Sequence, residues 1–104
     1  MEHIIKRDGK VVAFDSNKIK IAITKAFEST KEVNYTEEEQ ETIINKVIEK
    51  IIALKKDQTI EQIQDTIEKQ LLKTAQMVGK NFLIYRRERT KIRNKKQNAM
   101  IHEL

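Results

Sequence analysis

Two adjacent cations, Lys6 and Arg7, precede an Asp8-Gly9 pair, and a third, Lys18, falls where a helix should open. Lysine offers an anion a compact point charge, and arginine a planar fork that bonds two oxygens at once. A strand ending in such a pair, then a tight turn and a helix start, can bring all three onto one anion. The free N–H groups and partial positive charge of the helix N-terminus would add to them. The chemistry of such a group is the holding of an anionic ligand. The residues alone equally allow a surface hairpin with ordinary solubilising charges.

Residues for bond-making chemistry do not assemble. There is no cysteine, which excludes a disulfide framework and a cysteine-ligated zinc site. His3 and His102 stand near the two ends, with no paired carboxylate at ligand spacing. The cluster Glu37-Glu38-Glu39-Glu41 reads as a helix start. No Gly-rich loop runs into Lys-Ser or Lys-Thr, so ATP hydrolysis has no visible machinery. No apolar stretch approaches a membrane span, and Met1 to Arg7 has no signal-peptide apolar region. A cytoplasmic, reducing setting is the default expectation.

The elements that must position the cations are legible from pattern. Ile4-Ile5 and Val11-Val12 flank Asp8-Gly9, a hairpin signal, because Gly accepts the positive φ of a tight turn. Asp15 or Ser16 can cap a first helix. In that helix Ile19, Ala22, Ile23, Ala26 and Phe27 recur on one face, and Ile21, off the stripe, should meet another element or a ligand. Positions 31–35 read as a loop. Thr36 with Glu39 forms a capping box opening a second helix to about Leu54, with Ile44, Val47, Ile48 and Ile51 on one face. Ile43 and Ile52 widen that stripe and suggest burial on more than one side.

After a break at Lys55–Gln58, Thr59 with Gln62 forms a second capping box. The third helix carries Ile60, Ile63, Ile67 and Leu71. A fourth should start near Thr74, with Ala75, Val78, Phe82 and Tyr85 on one face. Gly79 inside it costs about 1 kcal/mol against Ala, which a close helix–helix approach would justify. The polar, basic chain from Arg93 should fray. The expected fold is mainly α: an N-terminal β-hairpin lid over a four-helix bundle, in one domain.

Charge is segregated along this frame. Residues 1–26 carry net +3, residues 27–69 net −5 and residues 73–97 net +8. The bland account of a basic run is a solvated helix face. The sharper one is an anion site built from both ends of the chain.

The opening segment, Ile4-Ile5-Lys6-Arg7-Asp8-Gly9 through Phe14-Asp15 to Lys18-Ile19, strongly resembles the N-terminal signature of the ATP-cone domain. The likeness continues in Ile63-Gln64-Asp65 with Ile67-Glu68. It continues again in Val78-Gly79-Lys80-Asn81-Phe82-Leu83-Ile84-Tyr85-Arg86 with Arg89, which resembles the family's closing helix, most of all that of the anaerobic glycyl-radical reductases. It covers roughly residues 3–93. Gly79 and Asn81 stand where the family usually has Ala, and Phe82 where Tyr is common. No catalytic barrel, radical glycine or redox cysteine follows, so the chain should be a free-standing cone or a segment of a reductase.

The resemblance implies a regulatory domain, 1–93, followed by a polar basic tail, 94–104. The domain would be without catalytic residues and would bind ATP or dATP, with or without Mg²⁺, to control the activity or oligomeric state of its partner. That partner would be a ribonucleotide reductase catalytic domain or another cone. It also implies residue roles. Ile4 and Val12 would lie by the base, with Asp15 near it from the helix start. Lys6, Arg7 and Lys18 would hold nucleotide and phosphates. Ile60 and Gln64 would face sugar or base. Arg86, Arg87 and Arg89 are phosphate candidates, and which of them points inward is open from the sequence. The alternative is a nucleic-acid-binding transcriptional regulator related to reductase repressors. It is disfavoured by the missing zinc-ribbon cysteines and by too few aromatics for a stacking platform. A plain helical interaction module that has lost nucleotide binding is a third reading.

Overall fold

The computed structural model describes residues 1–103, with side chains described through Lys95. The chain begins with β1 (His3–Ile5) and β2 (Val11–Ala13), which pair antiparallel with Ile4 opposite Val12. The turn between them is closed by the Gly9 N–H donating to the Lys6 carbonyl at 2.9 Å and the Lys6 N–H donating to the Lys10 carbonyl at 2.8 Å. Gly9 has φ +86°, the left-handed conformation for which the Asp-Gly pair was read.

Helices α1 (Ser16–Ser29) and α2 (Glu37–Ile52) follow. Asp15 is the N-cap of α1, its carboxylate accepting from the Asn17 N–H at 3.0 Å. Both capping boxes form as read, Thr36 with Glu39 and Thr59 with Gln62. Each satisfies two otherwise unpaired backbone donors and so fixes where its helix begins.

Between α2 and α3 (Ile60–Thr74) lies an element that the sequence pattern does not announce, β3 (Gln58–Thr59). It pairs in parallel with β1, Ile4 opposite Gln58 and Ile5 opposite Thr59, giving a sheet of order β2-β1-β3. Two residues are too few to show an alternating pattern. The pairing exists because the bundle carries the α2–α3 connection alongside β1. The His3 N–H also donates to the Asp57 carboxylate at 3.2 Å. The hairpin is therefore stitched to the start of α3.

The last helix, α4, runs Gln76–Glu103. Its backbone stays helical beyond Arg93, where the polar composition suggested a fray. No Gly or Pro interrupts that stretch, and Lys, Gln, Ala and Met are good helix formers.

Each helix packs on two neighbours, α1 on α2 and α4, and α3 on α2 and α4. This is a four-helix bundle with the sheet over one end. Its core is the set of apolar stripes read from the sequence, with Ile23, Val47, Ile51, Leu71 and Val78 almost fully shielded from water. Two expectations fail. Ile21 is 56% exposed and packs under no other element among the described residues, and Ile52 is 51% exposed while Ile43 packs half-buried against the core, so the stripe of α2 widens on one side only. Both lie off the core stripe, and among the described residues no further element packs over them.

The departures on α4 have structural reasons. A Cβ placed on Gly79 would lie 2.7 Å from the backbone nitrogen of Leu72, so glycine lets α3 and α4 approach closely. The Asn81 amide donates to the hydroxyl of Thr30 at 2.8 Å, and that buried hydroxyl donates to the Ala26 carbonyl at 2.7 Å. Asn81 thus ties α4 to the end of α1 and satisfies a polar group inside the bundle.

Candidate functional site

The sheet does not lie flat on the bundle. Beneath it is a cavity of about 250 Å³ bounded by β1, β2, α1, α3 and α4. Its floor comes from core stripes that converge there, Ile19 and Ala22 from α1, Ile63 and Ile67 from α3, and Phe82 from α4. Its sides carry Ile4, Val12 and Ala13 from the sheet and Ile60 at the head of α3. Such a slot suits a flat apolar ring.

The rim is cationic. Lys6 and Arg7 come from the end of β1 and its turn, Lys18 from the first turn of α1, and Arg86, Arg89 and Arg93 from α4. Asp15 is the one carboxylate lining it among the described residues, and its side chain also caps α1. The two basic ends of the sequence meet at one opening, as the charge segregation suggested. In such a cleft the cations add their fields on a polyanion.

The structure brings together every candidate site residue except Arg87. On α4, positions 86, 89 and 93 follow i, i+3, i+7 and share one face, whereas Arg87 is turned about 100° from Arg86. Arg87 borders a separate shallow depression with Lys91, Thr90, Leu83 and Glu68. Arg93, assigned to the start of the tail, lines the cavity instead. The i+7 relation to Arg86 is the signal that marks it. Tyr85, expected on the buried face, is 52% exposed and stands at the cavity wall.

The cations differ in their partners. Arg86 is largely enclosed, its side chain 16% exposed. Its guanidinium donates to Gln64 Oε1 at 3.2 Å, Asp65 at 2.9 Å, Glu68 at 3.3 Å and Glu61 at 3.4 Å. Burial works against its charge, yet the hydrogen bond and field of Asp65, with Glu68 and Glu61, outweigh it and raise its pKa above the ordinary arginine value. Arg7 pairs with Glu61 at 2.8 Å. Among the described residues Lys6, Lys18 and Arg89 make no ion pair. Glu61, Asp65 and Glu68, which hold Arg86, lie on one stripe of α3, and their i, i+4, i+7 spacing is the sequence signal for it.

The profile of the ATP cone domain matches residues 2–91. The chain is 37% identical over 103 residues to a vitamin B12-dependent ribonucleoside-diphosphate reductase of Thermoplasma acidophilum, covering 93% of this chain and 13% of that protein. It is 36% identical over 105 residues to a ribonucleoside-diphosphate reductase subunit alpha of Chlamydia pneumoniae, covering 92% of this chain and 10% of that one. The corresponding subunit of Chlamydia muridarum is 31% identical over 110 residues. The chain thus spans between a tenth and an eighth of the length of these relatives.

Proposed function

We infer, from the premise that this chain belongs to the ATP-cone domain family, a regulatory module that binds an adenine nucleotide and does no chemistry of its own. The observation that carries the reading is one cavity with an apolar floor and a rim of cations drawn from both ends of the sequence. An adenine fits the floor, and a triphosphate fits the rim.

The ligand is ATP or dATP, with or without Mg²⁺. Ile4, Val12 and Ile60 enclose the base, with Asp15 at its edge. Lys6, Lys18 and Arg89 are the cations free to take phosphate oxygens, and Arg7 joins them from the lid. Gln64 faces the sugar or base while its Oε1 holds Arg86, so Arg86 positions Gln64 as well as adding charge. Arg87 is left out of the ligand set. The cone comprises 1–93, and 94–104 forms a polar tail in a cytoplasmic protein.

ATP and dATP differ by one hydroxyl, and a ligand shifts an equilibrium only by its difference in affinity for the two states. Coupling energies of about 1–3 kcal/mol are typical. The lid is the element placed to carry that difference, since β1 is paired to β3 and β3 runs directly into α3. A reductase catalytic domain or another cone would read the altered surface. Of the basic residues on α4, Arg86, Arg89 and Arg93 line the cavity, which supports a nucleotide rather than a nucleic acid as the ligand there.

Calorimetric titration with ATP, dATP and GTP side by side tests the reading. Binding of the adenine nucleotides with GTP much weaker is expected, and absence of ATP binding would remove it.

A further inference from the structure

Arg7 and Arg86 both line the cavity, and one carboxylate that does not line it holds them together. Glu61 Oε1 accepts from Arg7 Nε and Nη2, each at 2.8 Å, and Glu61 Oε2 accepts from Arg86 Nη2 at 3.4 Å. The arginines come from positions 54 and 25 residues away in the chain. Glu61 sits in the first turn of α3, where the helix dipole favours an acid, two residues after the strand that pairs with β1.

We propose that Glu61 is an internal anion that latches the lid in the absence of nucleotide and sets the concentration at which the site fills. This rests on the nucleotide-binding reading above. The two arginines are not held alike. Arg86 keeps Asp65, Glu68 and Gln64 if Glu61 lets go. Arg7 has no other carboxylate partner among the described residues, so the lid is the part that is released.

The pair is half-exposed, Arg7 43% and Glu61 51%, and ion pairs of this kind are weak. A triphosphate brings several negative charges to the same cations and outcompetes one carboxylate. It must either take Arg7 from Glu61 or sit beside a like charge. Both lower its affinity relative to a site with a neutral residue there. A nucleoside without phosphates does not reach the arginines and bears neither cost.

Calorimetry on the wild-type protein, Glu61→Gln and Glu88→Gln, with ATP and with adenosine, tests the proposal together with amide hydrogen exchange of each free protein. Glu88, on α4, removes the same charge and has no ion pair among the described residues. Loss of the half-exposed Arg7 pair, together with removal of the like charge at Glu61, predicts ATP binding roughly threefold to tenfold tighter in Glu61→Gln, with adenosine and the Glu88→Gln variant within about twofold of wild type. Exchange at the His3 amide, which donates across the seam to Asp57, should be faster in nucleotide-free Glu61→Gln only. ATP affinity unchanged or weakened in Glu61→Gln overturns the latch, as does equal tightening in Glu88→Gln or unaltered lid exchange. A wild-type protein that binds no ATP removes the nucleotide reading instead, and the latch falls with it.

Discussion

The seam between α3 and α4 and the seam between the sheet and the bundle bound the same cavity, but they are built differently. The first is tight and fully committed: Gly79 admits the Leu72 backbone, Leu71 and Val78 are sealed from water, and Arg86 has an acceptor for each direction it faces. The second is light. All three residues of β2 are exposed, Lys6 and Arg7 reach from the turn, and a short ladder with one half-exposed ion pair closes it. One wall of the site is therefore preorganised, and the other is able to respond. Local stability follows buried apolar contact, so ligand-dependent motion belongs to the lid.

Damage to the rigid seam should read out as stability, and damage to the lid as ligand binding; the reverse would mean the two seams are not built differently. The largest effect is expected for Leu71→Ala, which empties a fully buried position at about 2–5 kcal/mol. In a domain of this size, thermal melting should fall by on the order of 10 °C or more. ATP affinity of the folded fraction should stay near wild type.

Lys6→Ala with Arg7→Ala is the converse. Hydrogen bonds to charged groups are worth enough that ATP affinity, read by calorimetry, should drop roughly tenfold per lost contact. Melting without nucleotide should barely move, and the rise in melting temperature with ATP should vanish.

Gly79→Ala sets two effects against each other. The added Cβ meets the Leu72 backbone nitrogen at 2.7 Å, and forcing atoms into packed space costs about 1–3 kcal/mol. Helix propensity returns about 1 kcal/mol. Net destabilisation by urea melting is expected, because a backbone atom cannot swing aside as a side chain would.

The smallest effect sharpens the boundary of the site. Arg87→Ala should leave ATP affinity within about twofold, since a surface substitution away from the ligand rarely matters more. A loss as large as that for the lid pair would return Arg87 to the phosphate set.

Much of this was legible because it is local. Asp8-Gly9 needs only the φ that glycine accepts, and it made the turn. Thr36 with Glu39 and Thr59 with Gln62 need only three-residue spacing, and both boxes formed. Stripes at 3.6-residue period named the core of all four helices, from Ile19 to Phe82. The segregation of positive charge to the two ends of the chain was already visible in a count of residues.

What those pieces face depends on packing between segments far apart in the chain. β3 exists because packing lays Gln58 and Thr59 beside β1, and two residues carry no pattern of their own. Periodicity could not tell that Ile21 and Ile52 stay half-exposed, since a stripe gives a direction along one helix and not what lies there. Among three neighbouring arginines, the rotation of α4 turned 86 and 89 to the cavity and 87 away. Glu61 looks from sequence like any acid at a helix start. Its hold on two arginines from opposite ends of the chain arises where non-local segments meet, and sequence spacing carries no record of that distance.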